Sequence, residues 1–154
     1  ALKTGRFEIA KTLMASGIDV NGTDKLGRNS LWYAVDSERK SVMEQLLIAK
    51  VIVNQPDNQG VTPLMLAVVK DCYDCVALLL LHGADIHQVS DTGNTPLMFA
   101  ATGKAKILAL LLKALPAGSG ALALRNRQSL TPLMLAVQSQ SAECVVLLVA
   151  AGAN

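Results

Sequence analysis

The hexapeptide TPLMLA occupies residues 62–67, and the same six residues return at positions 131–136. A third copy, TPLMFA, lies between them at residues 95–100. Threonine is a good N-cap residue because its hydroxyl accepts a hydrogen bond from a free amide of the first helical turn. Proline fits the next position, where an N–H group would have no partner inside the helix. Each copy therefore predicts the start of a helix.

The three copies belong to a longer internal repeat. Leu31, Leu64 and Leu97 are 33 residues apart, and Leu133 follows after 36. An alanine lies three residues after each of these leucines, and a glycine lies four residues before each of the first three. Before Leu133, Ser129 replaces that glycine. A fixed period of this size is typical of stacked repeats, in which each unit buries its apolar face against its neighbours.

One complete unit shows how the repeat is built. After the helix that begins at Pro63, the polar residues 70–71 interrupt the apolar pattern and predict a turn. The apolar run 75–80 predicts a second helix, and Gly83 can take the left-handed conformation that ends it. The polar run 87–94 leads to the next Thr-Pro. Two short helices and an extended turn therefore make one unit.

Over essentially its whole length, the sequence resembles an ankyrin-repeat protein. The resemblance rests on DNQGVTPLMLAV leading into DCVALLLLHGADIH, on TGNTPLMFAA leading into AKILALLL, and on the further unit starts LGRNSLWYAV and QSLTPLMLAV. FEIAKTLMASGIDVN is similar to the second half of a unit. The resemblance implies one all-α solenoid of helix-turn-helix units with extended, β-hairpin-like turns and a concave binding face. We divide the domain, residues 1–154, into a partial unit at 1–23, units at 24–56, 57–89 and 90–125, and a last unit at 126–154.

Several positions depart from the family pattern. The family usually has the sequence Thr-Pro-Leu-His at this place. Here the His is replaced by apolar residues, namely Trp32, Met65, Met98 and Met134. We therefore expect apolar packing there instead of a polar hydrogen bond. Asn29 and Ser30 replace Thr-Pro, although Asn can still cap a helix. Lys50 takes a helix-ending glycine position, which should cost local stability. An insertion around residues 116–120 should form a protruding loop, functional or merely tolerated.

Composition favours a packed domain without a strongly charged surface. About half of the 154 residues are apolar, 17% are charged, and the formal net charge is +2. A basic stripe for nucleic acid would have to run along the turn tips, but Asp57 and Asp91 interrupt it. No apolar stretch approaches the roughly 20 residues that span a bilayer, and the first residues lack a signal-peptide core. Because the chain lacks an initiating Met, we expect a fragment or a processed product.

The cysteines and histidines do not form a recognisable chemical site. Cys72, Cys75 and Cys144 are few, odd in number and unevenly spaced, so we expect no disulfide framework and a reducing compartment, the cytoplasm or alternatively the nucleus. The Cys-x-x-Cys of CYDC could belong to a zinc or redox site, but zinc needs two more ligands. Cys75 and Cys144 share a repeat position with apolar residues of the other units, namely Ile9, Val42 and Ile107, and this favours a core role.

No catalytic arrangement is evident either. His82 and His87, the only histidines, have no nucleophile or carboxylate partner in a catalytic order, and the glycines follow the repeat period and form no phosphate loop. We therefore predict no enzyme, metal, cofactor or small-molecule substrate, no nucleic-acid partner and no membrane insertion.

The predicted function is binding of another protein, as a scaffold or adaptor. By resemblance, partners lie along the turn tips and the exposed ends of the first helices, where residues differ from unit to unit. The tip residues are Lys25, Leu26, Arg28, Asn58, Gln59, Val61, Asp91, Thr92, Asn94, Arg127, Gln128 and Leu130. The helix-end residues are Asp36, Ser37, Val69, Lys70, Thr102, Gln138 and Ser139. Trp32 could join them as an aromatic anchor or could fill the core in place of the family His.

Two alternatives remain open from the sequence. The repeats could be a non-catalytic segment that positions another domain of a larger enzyme, channel or secreted bacterial effector. They could also be a modification substrate, since Leu13 with Asp19-Val20-Asn21 resembles the pattern at which some ankyrin asparagines are hydroxylated. Asn21 would then be the modified residue.

Overall fold

Eight helices in four consecutive pairs lie between Ser30 and Ala150 in the computed structural model, which describes residues 15–17, 19–116 and 118–153. The first helices of the pairs pack on one another along the stack, and the second helices form a parallel layer. No strand occurs in these described ranges. The first helices are α1 Ser30–Asp36, α3 Pro63–Val69, α5 Pro96–Ala101 and α7 Pro132–Gln138; the second helices are α2 Lys40–Ile48, α4 Tyr73–Leu81, α6 Ala105–Ala114 and α8 Ala142–Ala150.

The first helices begin where the sequence predicts. The hydroxyls of Thr62, Thr95 and Thr131 each accept a hydrogen bond of 3.3 Å from the amide three residues later. Asn29 caps α1 in the same way, accepting from the Trp32 amide at 3.0 Å. Its side-chain amide also donates to the Ile52 carbonyl at 2.9 Å, which ties α1 to the chain after α2. The capping predictions are confirmed.

Every one of these eight helices except α6 is followed by a residue with a left-handed backbone. After α2, Lys50 has φ of 60°, and its amide and that of Val51 donate back to the carbonyls of Leu47 and Leu46. This pair of bonds is the Schellman motif, which normally uses glycine at the position of Lys50. Three first helices end on left-handed residues that are not glycine, namely Glu38, Asp71 and Gln140.

The turns between units stack directly on one another. Within one turn, the Asp57 carboxylate accepts hydrogen bonds of 2.9 Å from the amides of Gln59 and Val61. Between turns, a backbone amide of each donates to a carbonyl of the preceding turn: Asn58 to Leu26, Asp91 to Gln59, and Arg127 to Thr92, at 2.8–3.0 Å. The four tips are therefore fixed in a row by the main chain.

The core is built from the residues that repeat. The period-33 leucines of α1, α3 and α5 and the alanines of all four first helices are buried. Met65 and Met98 are also buried, so apolar packing does replace the family histidine there. Trp32 is buried as well, whereas Met134, in the last pair, is exposed. In the insertion, Pro116, Gly118, Ser119 and Gly120 are exposed and Ala121 returns to the core.

The cysteines require a correction. The expectation of no disulfide is wrong for Cys72 and Cys75, which form a disulfide with a Cα–Cα distance of 5.3 Å. Residues three apart at the start of a helix lie on one face, within the Cα–Cα range that a disulfide can span. Cys75 and Cys144 are fully buried, as the repeat position predicts, although Val42 at the same position is exposed.

No helix among the described residues combines the length and the apolar character needed to cross a membrane.

Candidate functional site

The turn tips present a regular pattern of exposure. The first two predicted residues of each tip are exposed, and the last is half-buried. The exposed residues are Lys25, Leu26, Asn58, Gln59, Asp91, Thr92, Arg127 and Gln128; the half-buried ones are Arg28, Val61, Asn94 and Leu130. Of the aliphatic tip residues, Leu26 faces solvent, whereas Val61 and Leu130 are half-buried because each precedes the cap of a first helix. The tips therefore offer two outward side chains per unit.

The last two tips enclose a shallow groove of about 360 Å³. Five predicted residues line it, together with Asn126, which the sequence analysis did not select: Asp91, Thr92, Asn94, Arg127 and Gln128. The Asn126 side-chain amide donates to the Asn94 side-chain oxygen at 2.8 Å, and its own oxygen accepts from two amides of its turn. Asn126 is buried, so it fixes the groove and leaves the contacts to its neighbours.

Around the first tip, aromatic and charged side chains form a connected cluster. The Arg28 guanidinium lies 4.1 Å from the centroid of the Trp32 ring, and the Trp32 and Tyr33 rings meet edge to face at 5.6 Å. The Tyr33 hydroxyl donates to an Asp24 carboxylate oxygen at 2.6 Å. Trp32 is only 8% exposed, so the structure supports its role as a core residue packed under Arg28 and not as a surface anchor. Of the two rings in this cluster, Tyr33, 46% exposed, is the one at the surface.

The same hydrogen bond shifts two pKa values. The Tyr33 hydroxyl, followed by the amide of Arg28, stabilises the Asp24 carboxylate and lowers its pKa below the ordinary 3.8. Conversely, the Asp24 carboxylate raises the pKa of Tyr33 above 10.0, because the phenol must keep its proton to donate.

The predicted helix-end residues lie at the ends of the first helices, with Asp36 half-buried and the others exposed. The Lys70 ammonium is 3.0 Å from an Asp36 carboxylate oxygen, so an ion pair joins two neighbouring units. Val69 is 50% exposed. Three hydroxyls bond to carbonyls of their own helices and hold local positions: Ser37, Thr102 and Ser139.

Four residues of the first helices were not among the predicted site residues. Tyr33, Leu66, Phe99 and Leu135 precede the repeated alanines, and none of them is fully buried. Each lies three residues before a predicted helix-end position, hence on the same helix face. Together they form what we term the first-helix row: Tyr33, Asp36, Leu66, Val69, Phe99, Thr102, Leu135 and Gln138. In the sequence, these four positions vary from unit to unit although they lie between a Leu and an Ala that do not vary. The tip positions vary in the same way, and this variation was the signal that could have revealed the four residues.

The other candidates have clear structural positions. The Asn21 side-chain oxygen accepts a hydrogen bond of 2.7 Å from the Ile52 amide, so it joins two units. Leu13 and Ile9 lie outside the described residues. Within residues 15–17, 19–116 and 118–153, no three His, Cys, Asp or Glu side chains group in a way that could hold a metal ion.

Comparison with known proteins identifies the repeat. A family model described as ankyrin repeats (three copies) matches residues 1–90 and 79–154, which together span the chain. No curated protein matches the sequence.

Proposed function

The chain belongs to the ankyrin-repeat family, whose repeats are generally protein-interaction modules, and from this premise we propose that it binds a partner protein through its tips and its first-helix row. The proposed mechanism is display by a rigid support. It assigns no chemical step to the chain and needs no metal, cofactor or small-molecule substrate. A scaffold or adaptor role is the form of this function that we favour.

The observation that carries the proposal is the contrast between fixed backbone and variable side chains along the tips. Backbone hydrogen bonds join each tip to the next, while the outward residues change from Lys25 to Asn58, Asp91 and Arg127. Side chains held by an ordered backbone lose little conformational freedom on binding, and this preserves affinity. The scaffold thus supports recognition without itself being specific.

The composition of the surface favours a partner that presents apolar side chains with mixed charges around them. Tyr33 and Val69 provide exposed apolar contacts, and half-buried Leu66 and Phe99 continue the first-helix row. Tyrosine beside aliphatic residues is typical of the contacts that dominate interface energies. The tips add both charge signs, so no strongly acidic or basic partner is implied.

Site-specific photo-crosslinking tests the proposed face. We would place benzoylphenylalanine at Tyr33 or Val69, and as a control at Leu81, which is 80% exposed on a second helix. In cells that contain the natural partner, the first two positions should yield the same crosslinked protein and the control should not. The same product from Leu81, or none from Tyr33 and Val69, would place the interface elsewhere.

A charge reversal tests the tips separately. Arg127 is exposed and pairs with no acidic group of the described residues at salt-bridge distance, so Arg127→Glu should change the affinity for the captured partner by on the order of fivefold without altering helicity. Lys106→Glu, on a second helix, is the matched control. Arg28 is unsuitable for this test because its guanidinium stacks on Trp32.

The alternative, a segment that positions another domain of a larger enzyme, channel or bacterial effector, draws on a different surface. Val137, Val146 and Val149 are exposed in the last helix pair, where an adjoining domain could pack. Hydrogen exchange of the natural full-length product would distinguish the two proposals. Protection of α8 relative to this chain supports domain packing, whereas unchanged exchange there contradicts it.

Two smaller proposals concern the setting of the protein. A cytoplasmic or nuclear location stays a prediction, which microscopy of the tagged full-length protein tests. Hydroxylation of Asn21 also stays a prediction, and mass spectrometry of the protein from cells tests it. Because the Asn21 oxygen is bonded to the Ile52 amide, modification would need this turn to open.

A further inference from the structure

The Cys72–Cys75 disulfide is arranged asymmetrically at the start of α4. Cys72 is the N-cap residue, and its Sγ accepts a hydrogen bond from the Cys75 amide at 3.3 Å. Cys72 is half-buried, while Cys75 is fully buried. Cys72 is therefore the residue of the pair that is partly accessible to solvent, and Cys75 is not accessible.

The last unit provides an internal comparison, because Ser141 and Cys144 occupy the same two repeat positions. The Ser141 hydroxyl accepts from the Cys144 amide at 3.4 Å, and Cys144 is buried with a free thiol. Arg39 and Lys104, the corresponding N-cap residues of two other units, form no side-chain cap at all. The repeat therefore forms without a bond between these two positions.

We propose that Cys72 and Cys75 form a redox-active dithiol/disulfide site that exchanges with low-molecular-weight monothiols and their disulfides, with Cys72 as the reacting sulfur. The exchange does not depend on the proposed binding function. It assigns chemistry to a Cys-x-x-Cys pair of which the repeat pattern explains only Cys75 as a core residue.

Reduction takes place in two exchanges. A thiolate attacks Cys72 Sγ, the Cys72–Cys75 bond breaks, and Cys75 leaves as a thiolate that takes a proton. A second thiolate attacks the sulfur of the small thiol in the mixed disulfide, which releases the symmetrical disulfide and the Cys72 thiolate. Two electrons pass from two small thiols to the protein disulfide, and oxidation is the reverse.

The surroundings of Cys72 suit a thiolate. The Cys75 amide already donates to its sulfur, and the N-terminus of α4, a nine-residue helix, favours negative charge there. Arg39 and Lys104 occupy the same position in the preceding and following units. Asp71 and Asp74 act in the opposite sense, although Asp74 lies 3.6 Å from the Lys40 ammonium.

The test is a redox titration of the intact chain. Protein equilibrated with reduced and oxidised glutathione at graded ratios is quenched in acid, denatured, labelled with N-ethylmaleimide and analysed by mass spectrometry. The peptide with Cys72 and Cys75 should pass from no label to two labels in one transition, while Cys144 carries one label throughout. Two labels at the most oxidising ratio, or none at the most reducing ratio under native conditions, would overturn the proposal.

Three variants assign the reacting sulfur, each checked for native helicity. With oxidised glutathione, Cys75→Ser should accumulate a mixed disulfide on Cys72, whereas Cys72→Ser, which copies the last unit, should leave Cys75 unmodified. Ser141→Cys should add a second two-label transition to the peptide with Cys144. Modification of Cys75 in Cys72→Ser without modification of Cys72 in Cys75→Ser would contradict the assigned chemistry, and so would the absence of a second transition in Ser141→Cys. If a variant does not fold, the titration of the unmodified chain decides the case.

Discussion

Among single residues, Gly60 and Gly83 separate two reasons for a glycine. Both have left-handed backbones, with φ of 72° and 83°. A Cβ at Gly60 would also lie 3.0 Å from the Asp91 amide nitrogen, whereas nothing lies within 4 Å of one at Gly83. Gly83→Ala should therefore lower the free energy of unfolding by about 1 kcal/mol, and Gly60→Ala by about 2 kcal/mol or more, because the next tip must also move. Urea denaturation measures both, and equal losses would show that tip stacking adds nothing.

The Asp24–Tyr33 hydrogen bond predicts a pH effect with a defined sign. Tyr33→Phe removes the largest cause of the lowered Asp24 pKa, so that pKa should rise toward 3.8. Since the folded-state pKa lies below the unfolded value, the bond stabilises the fold fully above about pH 4, and this contribution is lost as the pH falls through the folded-state pKa. Carboxyl NMR titration of both proteins measures it. An unchanged Asp24 pKa in Tyr33→Phe would rule out the hydroxyl as the cause.

How far single residues could be predicted depended on whether their partners are close in sequence. Asn29 was expected to cap a helix because that bond spans three residues, and it does. Its second bond, to Ile52, spans 23 residues and was not predicted. The disulfide was missed for another reason: Cys72 and Cys75 are close, but the repeat pattern explained Cys75 fully as a buried residue.

At the scale of helices, the end of α2 can be improved by one substitution. Lys50 holds the left-handed position of a Schellman motif, where a side chain is disfavoured. Lys50→Gly should therefore raise the free energy of unfolding by up to about 1 kcal/mol. Glycine at an exposed position in the interior of α6, Ala109→Gly, should lower it by about 1 kcal/mol, since glycine weakens a helix interior. Thermal and urea unfolding of both variants should show opposite signs, and a loss from Lys50→Gly would contradict the strain at that position.

Reduction of the disulfide provides a second prediction for an element, α4. The bond closes a loop of only four residues, so the chain-entropy model gives at most about 2 kcal/mol of stabilisation. Urea unfolding with and without a reductant measures the difference, and Cys72→Ser serves as the control that no longer responds. A larger loss would mean that the bond holds α4 against its neighbours.

Helix starts and ends were predictable because their signals are local: a capping Thr or Asn, a proline, a left-handed position. The exposure of Leu66 and Phe99 was harder to predict, because it depends on how neighbouring units pack. Both residues are as apolar as the buried Leu64 and Leu97, so residue type does not separate the two groups. Their variation from unit to unit was the only signal in the sequence.

For the whole molecule, the 33-residue period predicts stacking. Because of the stacking, the loss of stability that a substitution causes depends on whether it lies in a central or a terminal unit. Val68 and Val137 occupy the same repeat position, yet Val68 is fully buried between units and Val137 is 60% exposed. A glutamine at Val68 would place an amide inside the core without a designed partner, at a cost of several kcal/mol, whereas an exposed site should change by about 0.5 kcal/mol or less.

We therefore expect Val68→Gln to lose much of its cooperative unfolding transition and Val137→Gln to keep both its helicity and its urea midpoint. Far-UV circular dichroism during urea titration compares the two at equal protein concentration. In a globule with one shared core, a position in the last helix pair need not tolerate a substitution better than the equivalent position in a central pair. Equal destabilisation by the two substitutions would mean that the last helix pair is covered in solution, and sedimentation velocity would then show whether a second copy of the chain covers it.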